Sequence, residues 1–262
     1  MKKITLFVLP LLVMIAVACS ITSKTGSSPT PLQAGDTPAV SINPTQVPPD
    51  PVPISINDGL NSLNSYQMTV SIKSIGPDPT ESSATTIQRQ RSNDSNASYS
   101  HFNTTSTPKG GGDPKTTDSE IFQVGNDQCS GNTDDWSWSS STPAQAEMQG
   151  LVTSMVGLTP LINDPVFLAA ETVNGIPTNH FNFKVSGLGA TSGAVVNINQ
   201  GDYWLAIDGQ YIVKYVLIVE ESTSATEVFH EEVAIEITQI NQPVSIAFPQ
   251  ACLDASKVTP TP

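Results

Sequence analysis

The stretch Tyr203–Glu221, YWLAIDGQYIVKYVLIVEE, decides the fold class. It contains two β-rich runs, Tyr203 to Ile207 and Gln210 to Glu221, separated by Asp208-Gly209. Residues that accept positive φ at such a connection are what a primed hairpin turn needs, since only that turn's twist matches the twist of its strands. In the second run Tyr211, Val213, Tyr215, Leu217 and Val219 alternate with Ile212, Lys214, Val216, Ile218 and Glu220, and both sets carry substantial apolar character. A strand that is apolar on both sides belongs in the middle of a sheet.

Working outward, Phe167 to Val173, Thr178 to Val185 and Glu227 to Ile240 are further strands. Upstream, Tyr66, Met68, Val70 and Ile72 alternate with Gln67, Thr69, Ser71 and Lys73, the period of a strand with one buried face. Gly76-Pro77-Asp78-Pro79 is a turn leading into a partner strand, Ser83 to Ser92, rich in Thr, Gln and Arg. Asn96 to Thr104 follows, then a glycine-rich loop from Pro108 to Pro114. Ser119 to Val124 and Asp134 to Ser139 read as a strand pair joined by Gly125 to Thr133, with Cys129 at the turn. Trp136 and Trp138 share a face of the second strand and read as sheet packing rather than a binding platform. The segment Gly187 to Gly193 is a loop; it lacks the GxGxxG order of a phosphate cradle.

One helix stands out. Thr142-Pro143-Ala144-Gln145 offers a cap, a proline at the first helical position and a glutamine three residues after the cap. Met148, Leu151, Val152, Met155 and Val156 then form a single apolar stripe that Gly157 ends, and Leu158, Leu161 and Ile162 add a second apolar segment before Asp164-Pro165. Such a stripe reads first as core packing; its two methionines also give it the adaptability that a helix over a lipid cavity needs. Ile54, Ile56, Leu60 and Leu63 suggest a further short helix or helical turn.

The ends of the chain have a different character. Lys2 to Cys19 places two lysines before an apolar run from Ile4 to Val17, then a small residue and a cysteine, the order of a secretory signal. The run is shorter than the roughly 18 to 20 residues of a spanning helix and contains Pro10. Ile15-Ala16-Val17-Ala18-Cys19 resembles a bacterial lipobox, and the resemblance implies a signal peptide at 1–18 and lipid attachment at Cys19, through a thioether-linked diacylglycerol. Ser20 to Pro53 contains eight of the 21 prolines and only Lys24, Asp36 and Asp50 as charges, so residues 19–53 read as an extended stalk. A domain at 54–252 and a disordered tail at 253–262 complete the organisation.

The formal charge of -13, with no basic cluster, sets nucleic acid aside as a partner. With Cys19 assigned to lipid, Cys129 and Cys252 remain, and in an exported chain they suggest one disulfide; two buried free thiols are the other reading. A bridge closing about 120 residues is worth roughly 4 to 5 kcal/mol in the chain-entropy model. Catalytic patterns are absent from the sequence. Gly189-Ala190-Thr191-Ser192-Gly193 has the wrong spacing for a nucleophile elbow, and His230-Glu231-Glu232-Val233-Ala234 has alanine where a zinc motif needs its second histidine. His101, His180 and His230 each sit in a β pattern and read as strand histidines, not metal ligands. The chain therefore reads as non-enzymatic, with no cofactor and no metal.

The order of these pieces resembles the LolA-like proteins, and more closely lipoproteins of the LppX and LprG type. The residues that carry the resemblance are the lipobox at Cys19, Leu60-Asn61-Ser62-Leu63-Asn64-Ser65-Tyr66 entering the first strand, and Val173-Asn174-Gly175-Ile176-Pro177-Thr178-Asn179-His180-Phe181. Tyr203 to Gly209 with its long following strand and Gln242-Pro243-Val244-Ser245-Ile246-Ala247-Phe248-Pro249 complete it. The resemblance implies an α+β fold: a strongly curved antiparallel sheet, a half-barrel, covered by helices, with acyl chains in the apolar space between. It implies that Met148, Leu151, Val152, Met155 and Val156 are the lid over that space and that the partner is a lipid or acylated molecule. An alternative with the same fold is a sensor or protein-interaction lipoprotein whose lid packs as a closed core.

Overall fold

The computed structural model describes residues 59–132, 135–140, 162–185, 195–224 and 227–258, all within the compact unit Pro49–Pro262. After a 3-10 turn at Leu60–Ser62 come β1 (Ser65–Ile75), β2 (Ser82–Ser92), β3 (Ala97–Thr107), β4 (Lys115–Val124), β5 (Asp127–Gly131) and β6 (Trp136–Ser140). Then follow β7 (Ile162–Val173), β8 (Ile176–Val185), β9 (Val195–Ala206), β10 (Ile212–Ser224), β11 (Glu227–Thr238) and the helix α1 (Gln250–Val258).

These strands form a single antiparallel sheet in the order β6-β5-β4-β3-β2-β1-β11-β10-β9-β8-β7. Two meanders meet where the first strand pairs with the last, through Met68 opposite Ile237, Val70 opposite Ile235 and Ile72 opposite Val233. β6 and β7 are consecutive in the chain yet lie at opposite edges, and among the described residues the sheet does not close.

The decisive hairpin forms, but not around a two-residue primed turn at Asp208-Gly209: residues 207–210 make a four-residue connection whose positive φ values fall at Gly209 and Gln210 rather than at Asp208. Ala206 N–H donates to the Tyr211 carbonyl at 2.9 Å, and Gly209 takes φ +87. β10 is interior, paired with β9 and β11. A two-residue primed turn does occur elsewhere: Asn174-Gly175, with φ 53 and 80, joins β7 to β8.

Four further expectations need correction. Cys129 is not at a turn but in β5, a strand whose sequence Asp-Gln-Cys-Ser-Gly has no apolar alternation to announce it. β9 begins at Val195 rather than Tyr203. β7 starts at Ile162 and runs through Asp164-Pro165, which it accommodates by a register shift between Asn163 and Val166, with Asp164 at φ 46. Leu253 to Val258, expected to be disordered tail, are helical in α1. The helix expected at Thr142 to Gly157 lies outside the described residues, as do the signal segment and the stalk.

Candidate ligand-binding face

Register decides which side chains share a face. Ile87 on β2, Val70 on β1, Ile235 on β11, Tyr215 on β10 and Tyr203 on β9 stand in one row across five strands, and each is buried. Rows to either side add Met68, Ile237, Val233 and Leu217, and β8 adds Phe181 and Phe183. From β8 to β2 this face is thus a continuous apolar surface.

Its aromatic end is tightly organised. Phe181 stacks on Tyr203 at 4.9 Å between ring centroids, and Phe183 meets Tyr203 at 5.9 Å and Tyr215 at 5.3 Å. Phe167 on the edge strand β7 packs edge-on against Phe181 at 5.7 Å. The Phe183 ring lies across Gly201, its cross-strand neighbour, where an added Cβ would come within 2.1 Å of the ring. Only glycine leaves room for that ring.

Polar groups on this face are few and perturbed. Burial raises the Tyr203 hydroxyl to about 12 and raises Tyr215 as well, so both are neutral donors at physiological pH. Glu231, which faces Val219 at the far end of β11, has its carboxyl raised by burial and then by Glu221. Arg91 on β2 has its guanidinium lowered by burial and then by Arg89. The Tyr215 hydroxyl and the Nε of Arg89 are buried without a hydrogen-bond partner.

The opposite face carries a separate apolar cluster, at the β3–β6 end. Tyr99, Phe122, Cys129 and Trp138 form a row there. Tyr99 and Phe122 lie 4.7 Å apart, Phe122 and Trp136 6.0 Å, and Trp138 and Phe248 4.6 Å. Cys129 is bonded to Cys252 of α1 across a separation of 123 residues, with Cα atoms 5.8 Å apart, as the even cysteine count suggested. The tryptophans are sheet packing, as expected.

The three histidines occupy strands and face carboxylates. His180 stacks on Trp204 at 4.2 Å, with Nδ1 3.0 Å from Glu171 and Nε2 3.0 Å from Asp202. Carboxylates on opposite ring nitrogens cannot converge on one ion; they tie β7, β8 and β9 together. His101 lies 2.9 Å from Asp118, and His230 lies 3.3 Å from Glu232.

Of the site residues expected from the sequence, Cys129 and Cys252 are joined, while Cys19 and Met148, Leu151, Val152, Met155 and Val156 lie outside the described residues. Sequence reasoning passed over Arg89 and Arg91, although the alternation Ile87, Arg89, Arg91 already put them on the side of an apolar residue.

No family model matches the chain, and no curated protein matches it. Similar solved structures include the lipoprotein LppX of Mycobacterium tuberculosis, at 15% identity and TM-score 0.35 over 72% of this chain and 93% of that one. Another is LprF of Mycobacterium bovis, at 13% identity and TM-score 0.39 over 75% of this chain and 93% of that one. A third is a LolA superfamily protein of Nitrosomonas europaea, at 11% identity and TM-score 0.26 over 75% of this chain and 94% of that one. These names agree with the resemblance read from the sequence; at such scores they carry no further weight, and function is argued from the chain's own residues.

Proposed function

We propose that this is a non-enzymatic, membrane-anchored lipoprotein that binds or carries a lipid or acylated molecule by its acyl chains. The observation that supports it is the continuous apolar face from β8 to β2, with two buried polar atoms left unpartnered upon it. Burial alone supplies the affinity: each CH₂ removed from water contributes about 0.8 kcal/mol, so no catalytic group is needed.

In this reading the sheet curves into a half-barrel, and the helix bearing Met148, Leu151, Val152, Met155 and Val156 is the lid over its apolar side. Cys19 carries the lipid anchor, residues 19–53 form the stalk, and the body stands in the cell envelope, on the outer face of the cytoplasmic membrane or at the cell surface. The full chain, gently purified and examined by native mass spectrometry, is expected to carry lipid, and Met155→Trp is expected to reduce it by filling the space under the lid. Lipid-free wild-type protein would contradict the proposal.

One observation favours the second reading, a sensor or interaction lipoprotein with a closed core. Val70, Ile87, Ile212 and Tyr215 are each 0% exposed. A closed core predicts lipid-free protein and a Met155→Trp variant that is destabilised rather than impaired in uptake.

A further inference from the structure

On β2 the alternation of side chains puts Arg89 and Arg91 on the face of the core residue Ile87. Across β1 their partners are Met68 and Tyr66, and across β3 they are Ser100 and Ser98; all four partners are buried. The Nε of Arg89 makes no hydrogen bond, and among the described residues its guanidinium has no ion-pair partner. Arg91 is met by neutral acceptors: Nε donates to Asn93 Oδ1 at 2.8 Å and Nη2 to Asn96 Oδ1 at 3.0 Å.

This is costly for the fold and unexpected for the composition. A guanidinium does not escape burial by losing its proton, so an unpaired one keeps its desolvation penalty until an anion arrives. The chain has 24 acidic residues against 11 basic ones, yet among the described residues the cationic ion pairs are Lys73–Glu232 and Lys257–Asp254, apart from those of the histidines. Among the described residues neither arginine is paired with a carboxylate. Two buried serine positions opposite two arginines supply the fork and hydroxyl chemistry that anionic oxygens take.

The position within the face gives the ligand its shape. β2 lies at the border where the apolar surface ends and serines begin, and from β2 to β8 there are five strand spacings, about 24 Å at about 4.8 Å each. A polar head at one end and a long apolar run beyond it describe an amphiphile.

The geometry points to a head-group subsite: Arg89, backed by Arg91, Ser98 and Ser100, receives the anionic oxygens, phosphate or carboxylate, of an amphiphile whose acyl chains lie across the apolar face toward Phe183. The inference rests on the acyl-binding reading and adds to it the charge of the cargo.

The test compares dioleoyl phosphatidic acid, dioleoylglycerol and inorganic phosphate, each added to the full chain in mild detergent, with bound ligand read by native mass spectrometry. Wild type is expected to hold phosphatidic acid about tenfold more tightly than the glycerolipid, the gain of one charge-assisted bidentate contact, and inorganic phosphate weakly. Arg89→Met is expected to bind both lipids equally, and Arg89→Lys to keep part of the preference. Arg89→Met is also expected to melt no lower than wild type, because it removes a half-buried guanidinium whose buried Nε is unpaired; a melting point several degrees lower would make Arg89 a structural residue and overturn the inference. Equal binding of both lipids by wild type overturns it too, while leaving lipid binding intact. Failure of wild type to bind either lipid overturns the acyl-binding reading, and the head-group subsite with it. Phosphate held as tightly as phosphatidic acid marks a free-anion site and likewise rejects an amphiphile's head.

Discussion

From β8 to β2 most of the large apolar side chains lie on the face of Phe183 and Ile235, whereas from β3 to β6 most lie on the other, with Phe122 and Trp138. The two ends are finished differently. At the β6 end the chain closes its own cluster: Phe248 covers Trp138, α1 packs alongside, the Cys129–Cys252 bond fixes it, and the Tyr99 hydroxyl donates to Glu120 at 2.6 Å. On the other half two polar atoms, on Arg89 and Tyr215, are buried without partners. A complete end holds the fold together; a face with unanswered polar groups is where a ligand belongs.

Perturbing each half separately sharpens the contrast. Phe183→Ala removes a ring that fills the space above Gly201 and is expected to cost about 3–5 kcal/mol in urea unfolding, together with loss of any bound lipid. Replacing Cys129 and Cys252 by alanine is expected to cost about 2–5 kcal/mol but to leave lipid binding unchanged, with faster amide exchange confined to β3–β6 and α1. Faster exchange across β8 to β2 in that variant would break the distinction between the halves. Gly201→Ala forces the Phe183 ring aside and is expected to cost about 1–3 kcal/mol.

The smallest expected effect is a pH effect. Glu231 has a raised folded-state pKa, so the folded state holds a proton that the unfolded state has already released in the window between the ordinary glutamate value and the raised one. Stability therefore falls as pH rises through that window, and the penalty is complete above it. Glu231→Gln is expected to raise Tm at neutral pH and leave it unchanged in acid; a Tm gain of the same size in acid would contradict burial as the cause.

Much of this was legible where the information is local. The alternation of β10, the Asp208-Gly209 turn and the even cysteine count each report a constraint met within a short stretch or a compartment. What escaped was set by neighbours distant in sequence. The first part of β9 escapes a sequence reading that begins the strand at Tyr203, because Gly201 has no side chain of its own; Phe183 supplies the missing apolar volume from β8. β5 and α1 lack an apolar pattern, and their places depend on a disulfide that links residues far apart. Arg89 reads as one polar residue of a polar strand, and only the register with Met68 and Ser100 shows it to be half-buried, with its Nε out of solvent. The lid, expected at Met148 to Val156, lies outside the described residues, so the candidate site is read from the sheet alone.

The central claim is that acyl chains lie on one face of one half of the sheet. A phosphatidic acid with a photoreactive diazirine at the end of one acyl chain, crosslinked to the full chain and mapped by peptide mass spectrometry, tests it most directly. The account predicts label on β8 to β1, at peptides bearing Phe183, Tyr215 and Met68, and none on Trp136 or Trp138. Label concentrated on β6 and α1, or spread evenly over both faces, would contradict it.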